Sequence, residues 1–547
     1  MRFLDSFSRI QLEKAPDSRA AFRWSTTEIC MLLACILVGL AMRWQSSNHG
    51  LSFDETWILA GASGHAGELS QWKIGKPITD AVSPTAIETA GTAATVWKDR
   101  VVFHPPLHIW SLWWWRCIFG GSDWTASIYS GLWSLVSIGF VFAALRLQAG
   151  VWPATCTALL MAVAPVQVQL GTEVRSYSMV LALVACAFWQ IVQLERRPAT
   201  PFRIWLLALT LAPIPMVHYF GAIPCAVIGA WGLLHFRGVY LRHWIGALLV
   251  SASLAILVTL QSAFQDFGYS QTFNLYVPTE FSLLNEAIAV GTVPMKLLFF
   301  ISHSHRFWWG LFLLGYIVLM LLGSLRSQAV RLWMLLLIAP IAAILVLDLM
   351  RGTQQVAIVR YSAAAAISAA IVPILSAFLI HRWFGWGVSV FLIGLSMMQL
   401  GSPREIGSPS FHAMSNSLVP IILKEPHSIP IVCSANKGFP IFYAKGMLVE
   451  LVRTPGVLPR TLLILDGAPE ESLKDLLELH DGDRFWMVKP GLARSEKDLL
   501  TWLHEIDPRI QLIRSSHRVP SGNQGLQSEP AIEMMLLELS DDNQKSS

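Results

Sequence analysis

Eleven apolar runs, each near the about 20 residues that a helix needs to cross a hydrocarbon core, fill the first 400 residues. They lie near 26–43, 126–146, 152–171, 176–194, 203–218, 219–236, 243–262, 307–324, 332–349, 361–380 and 385–400. Such a chain cannot be an ordinary water-soluble enzyme. Charged residues make up 14% of it, against about 25% in soluble domains. The runs predict a mainly α, polytopic membrane protein of about eleven transmembrane helices.

Two further segments are too short or too polar to span. Residues 107–119 hold Arg116 and three consecutive tryptophans, and predict a helix lying at the membrane surface. Residues 283–302 contain Glu286 and Lys296 and predict a second surface helix. With the N-terminus inside, every short cytoplasmic loop is then basic. Arg2 to Arg23, Arg146, Arg196–Arg197–Arg203, Arg237–Arg242, Arg326–Arg331 and Arg382 all fall on that side. Glu173, His218, Asp266 and Asp348 fall on the other. This places the chain in the inner (plasma) membrane, with its C-terminal part outside.

Charge density changes near residue 400. Residues 1–400 carry 25 Lys+Arg and 17 Asp+Glu, whereas residues 401–547 carry 15 and 19. The expected organisation is a cytoplasmic tail (1–25), a membrane domain (26–400) with a long first periplasmic loop (44–125), a linker (401–417) and a periplasmic domain (418–547). Short apolar runs in the last of these, IPIVCSA, TLLILDG, RFWMVKP, IQLIRSS and EMMLLEL, predict a small α/β domain with a largely parallel sheet. That domain shows no phosphate-binding glycine loop and no nucleophile elbow. Seven cysteines without a CxxC suggest neither a disulfide framework nor a cysteine zinc site. No basic run fits nucleic acid.

The remaining ionisable residues gather at the outer ends of the helices. Asp54 and Glu55 follow the first span, and read either as a solvated acidic pair or as groups for base chemistry or cation binding. His104 precedes two prolines that fix the entry into the first surface helix. It could bond a phosphate or a reacting hydroxyl, or cap that turn. A zinc site from His104 and His108 lacks a third ligand. Glu173 and Arg175 stand at the mouth of two apolar helices, either as a mutual ion pair or as functional groups. His218–Tyr219 and Arg360–Tyr361 sit at two more such junctions. An outer arginine calls for an anionic partner, of which a lipid phosphate is the obvious one, or snorkels to a headgroup. Interior prolines 213, 215 and 340 keep a transporter or lipid flippase open as an alternative.

The order of these motifs resembles the C-type glycosyltransferase superfamily. FDETW after the first span, HPPL opening a surface helix, Glu173-x-Arg175-x-Tyr177, HYFG at 218–221 and Arg360–Tyr361 carry the resemblance. It points to the bacterial family 39-like branch, related to protein O-mannosyltransferases and to the lipid A aminoarabinose transferase, over roughly residues 26–400. The resemblance implies an enzyme that moves a sugar from a polyprenyl-phosphate donor to a lipid, glycan or protein acceptor on the periplasmic side. A surface-polysaccharide polymerase or ligase is the alternative within the same chemistry. It implies catalytic positions at Asp54, Glu55 and Glu173. His104, Arg175, Tyr177, His218, Tyr219, Arg360 and Tyr361 would bind substrate. A divalent metal, used by some members, would fall to Asp54 and Glu173, although nothing in the residues demands one. The chain departs from the family at 127–130, where Ser–Ile–Tyr–Ser replaces an arginine-bearing segment. Arg116 is a candidate substitute.

Overall fold

The structure is a computed structural model. It describes residues 23–47, 53–65, 89–98, 105–272, 282–300, 306–353, 355–357 and 359–400, with 431–435, 462–466, 484–490, 500–501, 504, 510–518 and 532–539 of the C-terminal part. His104, His303 and His305 lie outside these residues.

The helices, in chain order, are α1 (Thr26–Ser46), α2 (Phe53–Ser63), α3 (Ala93–Lys98), α4 (Pro106–Phe119), α5 (Asp123–Ala149), α6 (Val151–Val163), α7 (Pro165–Thr172) and α8 (Tyr177–Arg196). They continue with α9 (Pro201–Leu211), α10 (Pro213–Val217), α11 (Ala222–His235), α12 (Gly238–Thr272), α13 (Leu283–Lys296), α14 (Arg306–Arg326), α15 (Gln328–Arg351), α16 (Ala366–Ile380) and α17 (Arg382–Gln399). The chain is a multi-pass membrane protein. Among the described residues seven helical segments are individually long and apolar enough to cross a bilayer.

The sequence count of eleven differs because backbone breaks divide some runs. Residues 152–171 become the pair α6 and α7, bent by 63°. Residues 203–218 break at Pro213, which has no N–H to continue the helical ladder. The run at 385–400 is α17, of 18 residues. Both segments read as surface helices, α4 and α13, are helices of 14 residues, too short to span.

The two ends of the bundle carry different chemistry. At one end Arg146 closes α5 onto the start of α1, bonding Glu28 at 2.9 Å and the Arg23 carbonyl at 3.1 Å, with its guanidinium over Trp24. Trp333, early in α15, joins this end by donating to Gln148 Oε1. Asp54 lies beyond the opposite end of α1, a helix of about 30 Å.

A buried arginine explains the bend in the core. Pro165 offers no N–H to the Met161 carbonyl, and Val166 gives its own to Leu298 O. Arg43, only 2% exposed, covers the loss. It donates to the carbonyls of Gly39, Ala162, Met161 and Gln167, and to Ser134 Oγ. A guanidinium with five donors can serve several carbonyls at once. Gly171 makes room for it: a Cβ there would stand 2.9 Å from Arg43 Nε and 2.7 Å from Ser134 Oγ.

Among the described residues the C-terminal part holds five strands, β1 (Ile431–Ala435), β2 (Leu462–Asp466), β3 (Arg484–Pro490), β4 (Ile510–Arg518) and β5 (Ile532–Leu539). Each covers one of the five apolar runs. The sheet order is β2-β1-β3-β5-β4. The expectation of a largely parallel sheet needs correction: β1 pairs parallel with β2 and β3, but β5 pairs antiparallel with β3 and β4. The segment 519–531 (VPSGNQGLQSEPA) lacks the apolar periodicity of a crossover helix. A parallel return needs such a crossover, whereas an antiparallel one does not.

Candidate functional site

Asp54 and Glu55 lie in the first turn of α2. A helix N-terminus favours carboxylates there. Neighbouring helical residues point about 100° apart, so the two acids take different partners. Asp54 Oδ2 receives Arg175 Nη1 at 2.7 Å and Arg360 Nη1 at 2.9 Å. Glu55 is 1% exposed, and its Oε1 accepts the Val174 N–H at 2.7 Å. Glu55 therefore ties α2 to the turn that presents Arg175.

That turn is tight. The Arg175 N–H donates back to the Glu173 carbonyl at 2.7 Å, between the end of α7 and the start of α8. Glu173 Oε1 accepts from Gln169 Nε2 at 2.8 Å. Arg175 is buried, with its guanidinium 4.9 Å above the Tyr177 ring. Burial is the largest influence and opposes its charge, but Asp54, Tyr177 and Glu173 together outweigh it and hold the guanidinium above its ordinary pKa.

Arg360 reaches Asp54 from a 3₁₀ segment, Val359–Ala365. Asp348 shapes the approach. Gly352 takes a left-handed conformation (φ 65°) that ends α15. Asp348 Oδ1 then accepts from Thr353 Oγ1 and the Gln355 N–H, and Oδ2 from the Val356 N–H at 2.7 Å. This carboxylate near the end of α15 organises the loop that delivers Arg360.

Aromatic rings join these junctions. Tyr177 meets His218 at 5.4 Å, His218 meets Phe220 at 5.6 Å, and Phe220 meets Tyr361 at 5.5 Å. His218 Nδ1 accepts the Phe220 N–H, which leaves the ring proton on Nε2 when the imidazole is neutral. Burial and then the Arg175 charge push His218 down to about 3, so it is neutral. Tyr219 is half-buried on the same turn.

The structure thus brings Asp54, Glu55, Glu173, Arg175, Tyr177, His218, Arg360 and Tyr361 into one connected set. Arg116 does other work: it bonds Ser63 Oγ at 2.7 Å and the Leu59 and Gly121 carbonyls, latching α4 to the far end of α2. Sequence reasoning overlooked Gln169, which differs little from ordinary span residues in type, and gave Phe220 no role beyond its place in the HYFG motif. It also overlooked Arg43, which stood at the end of a span like any boundary charge.

Among the described residues no group of three or more His, Cys, Asp or Glu could hold a metal ion. Asp54 already faces two guanidiniums, whose charge repels a dication. The pair Asp54 and Glu173 does not fit a metal site in this arrangement.

Residues 103–262 match a family model described as dolichyl-phosphate-mannose-protein mannosyltransferase. The match includes Arg175, Tyr177 and His218, but neither Asp54 nor Arg360. No curated protein sequence matches the chain. Among solved structures, the apo crystal structure of ArnT from Cupriavidus metallidurans is 13% identical, with a TM-score of 0.50, covering 93% of this chain and 98% of that one. The same protein bound to undecaprenyl phosphate gives 13% and 0.48, covering 94% and 98%. The Archaeoglobus fulgidus oligosaccharyltransferase in complex with zinc and sulfate gives 12% and 0.46, covering 90% and 72%. The chain is thus similar in fold to ArnT along nearly its whole length, and similar to the mannosyltransferase family model over residues 103–262.

Proposed function

We propose that the chain transfers a sugar from a polyprenyl-phosphate donor to an acceptor at the outer face of the inner membrane, with inversion at the anomeric carbon. The observation that carries this reading is the convergence of Arg175 and Arg360 on Asp54, from three separate helix junctions. Two arginines at one spot suit a phosphate leaving group, whose departure needs its charge neutralised. The carboxylate between them suits a base that takes the acceptor hydroxyl's proton as the oxygen attacks. The two functions are coupled. A phosphate reaching Arg175 and Arg360 competes with Asp54 for them, and a carboxylate that loses cationic partners becomes more basic. Glu55 positions α2 and Arg175. Glu173 balances the charge of Arg175, and Tyr177, His218 and Tyr361 line the approach. The basic loops support an outer position for the cluster, opposite the Arg146 end. In this reading residues 418–547 form a periplasmic domain.

The test is transfer in proteoliposomes, from radiolabelled polyprenyl-phosphate sugars to endogenous lipid, glycan and protein fractions. Wild type should release polyprenyl phosphate and label one fraction, and Asp54→Ala should do neither while eluting as a folded monodisperse protein. Full turnover in Asp54→Ala refutes the base assignment. Cysteine-accessibility mapping that puts position 54 on the cytoplasmic side refutes the sidedness.

A further inference from the structure

His108 has no part in the arrangement above, yet it is the most conspicuous polar group beside it. It lies on the inner face of α4, 1% exposed, with its ring 5.7 Å from that of Tyr129. Among the described residues neither ring nitrogen has a hydrogen-bond partner. Burial, then the charge of Arg175, push its pKa down to about 3. A neutral imidazole offers one donor and one acceptor, and leaving both unmade in a buried place is costly. The Tyr177 hydroxyl is in the same condition, 2% exposed and without a partner among the described residues. The two groups belong to one neighbourhood. The Tyr177 ring lies under Arg175 and against His218, and His108 and His218 both feel the Arg175 charge.

The chemistry narrows the ligand. An anion is served by the guanidiniums of Arg175 and Arg360. A cation is disfavoured beside them. What suits a neutral imidazole and a phenol is an uncharged group that donates and accepts at once, which is a hydroxyl. Aromatic faces beside these atoms suit the C–H faces of a sugar ring. We propose that His108 and Tyr177 form a hydroxyl-binding subsite for the sugar ring of the donor. This rests on the donor reading above and adds the groups that distinguish the sugar-loaded carrier from the bare one.

The experiment compares two kinds of probe on the full chain in detergent by isothermal titration calorimetry. One is farnesyl phosphate. The others are farnesyl-phosphate glycosides of glucose, mannose, galactose and N-acetylglucosamine. Wild type should bind at least one glycoside about tenfold more tightly than farnesyl phosphate. Tyr177→Phe and His108→Ala should each remove most of that preference, and His108→Ala should leave farnesyl phosphate affinity unchanged. His108→Gln, which keeps a donor and an acceptor, should recover part of it. Tyr177→Phe retains the ring, so it reports on the hydroxyl even where His108→Ala disturbs folding. Variants that keep the full wild-type preference, or that weaken both kinds of probe equally, overturn the subsite. So does a wild type that binds farnesyl phosphate but prefers no glycoside. A wild type that binds no farnesyl phosphate overturns the donor reading itself.

Discussion

Asp54→Asn separates the two jobs given to this residue, because binding and turnover should move in opposite directions. In the wild type one carboxylate oxygen, Oδ2, holds Arg175 Nη1 at 2.7 Å and Arg360 Nη1 at 2.9 Å. An incoming phosphate must take over at least one of these charge-assisted bonds, worth about 1.5–3 kcal/mol, where a neutral one is worth about 0.5–1.5 kcal/mol. The asparagine keeps the shape but offers only the weaker acceptor. The cost of displacing it falls by about 1.4 kcal/mol, so farnesyl phosphate should bind about tenfold more tightly. The same change removes the base, and turnover should fall by about 10²–10⁴. The assay pairs calorimetric titration of farnesyl phosphate with single-turnover sugar release from the lipid-linked donor. Size-exclusion elution controls for folding, since two guanidiniums without their carboxylate repel each other and cost stability. Weaker phosphate binding in Asp54→Asn, or undiminished turnover, refutes the reasoning: the first removes the competition, the second the base.

Three further outcomes follow from other parts of the fold. Arg43→Met orphans at least the Met161 and Ala162 carbonyls at roughly 1–3 kcal/mol each, and should lower the thermal unfolding midpoint in detergent; an unchanged midpoint removes the latch. His108 and His218 are held neutral in the folded protein, with pKa values of about 3, whereas an unfolded imidazole titrates near about 6.5. The unfolded chain therefore binds more protons between those values, so stability should fall as pH drops from about 6.5 toward 3, and His108→Gln should flatten that slope by up to about 1.4 kcal/mol per pH unit. Burial, then the Asp348 charge, raise the pKa of Glu286, whose carboxylate oxygens lack partners. Its stabilising protonated form is lost as pH rises through the folded value, so Glu286→Gln should raise the midpoint at pH 8 and leave it unchanged in acid, read by the same thermal scans.

The apolar runs made the membrane fold legible, since length and composition decide whether a segment can cross a bilayer. Backbone breaks were less legible. Pro165 and Pro213 were visible as residues, but whether a proline starts, bends or merely joins a helix depends on which neighbours take the freed carbonyls. Pro340 sits inside the unbroken α15, while Pro165 marks a 63° bend. Five strands were readable from short apolar runs, yet their directions were not, because strand direction is set by connections rather than by the runs themselves. At the candidate site, motif order singled out Asp54, Arg175 and Arg360, which the structure brings together. Their division of labour required geometry. Asp54 and Glu55 look equivalent in sequence, and only the helical turn sends one to two arginines and the other to a backbone N–H.

The least legible residues are the buried polar ones that serve the backbone or wait on the site. Arg43 and Arg360 are both arginines at the margin of an apolar run. One is surrounded by neutral oxygens and the other meets a carboxylate. The distinction has a functional consequence. Arg43 bonds carbonyls whose helical donors were lost at a proline, so any ligand competing for it would have to undo the fold. Arg360 bonds a side chain that can rotate away, so in the proposed reading a phosphate exchanges with Asp54 without disturbing the backbone. The arrangement thus separates fixed from exchangeable cations by their partners. It is the exchangeable pair, Arg175 and Arg360, that lies beside the unpartnered His108 and Tyr177.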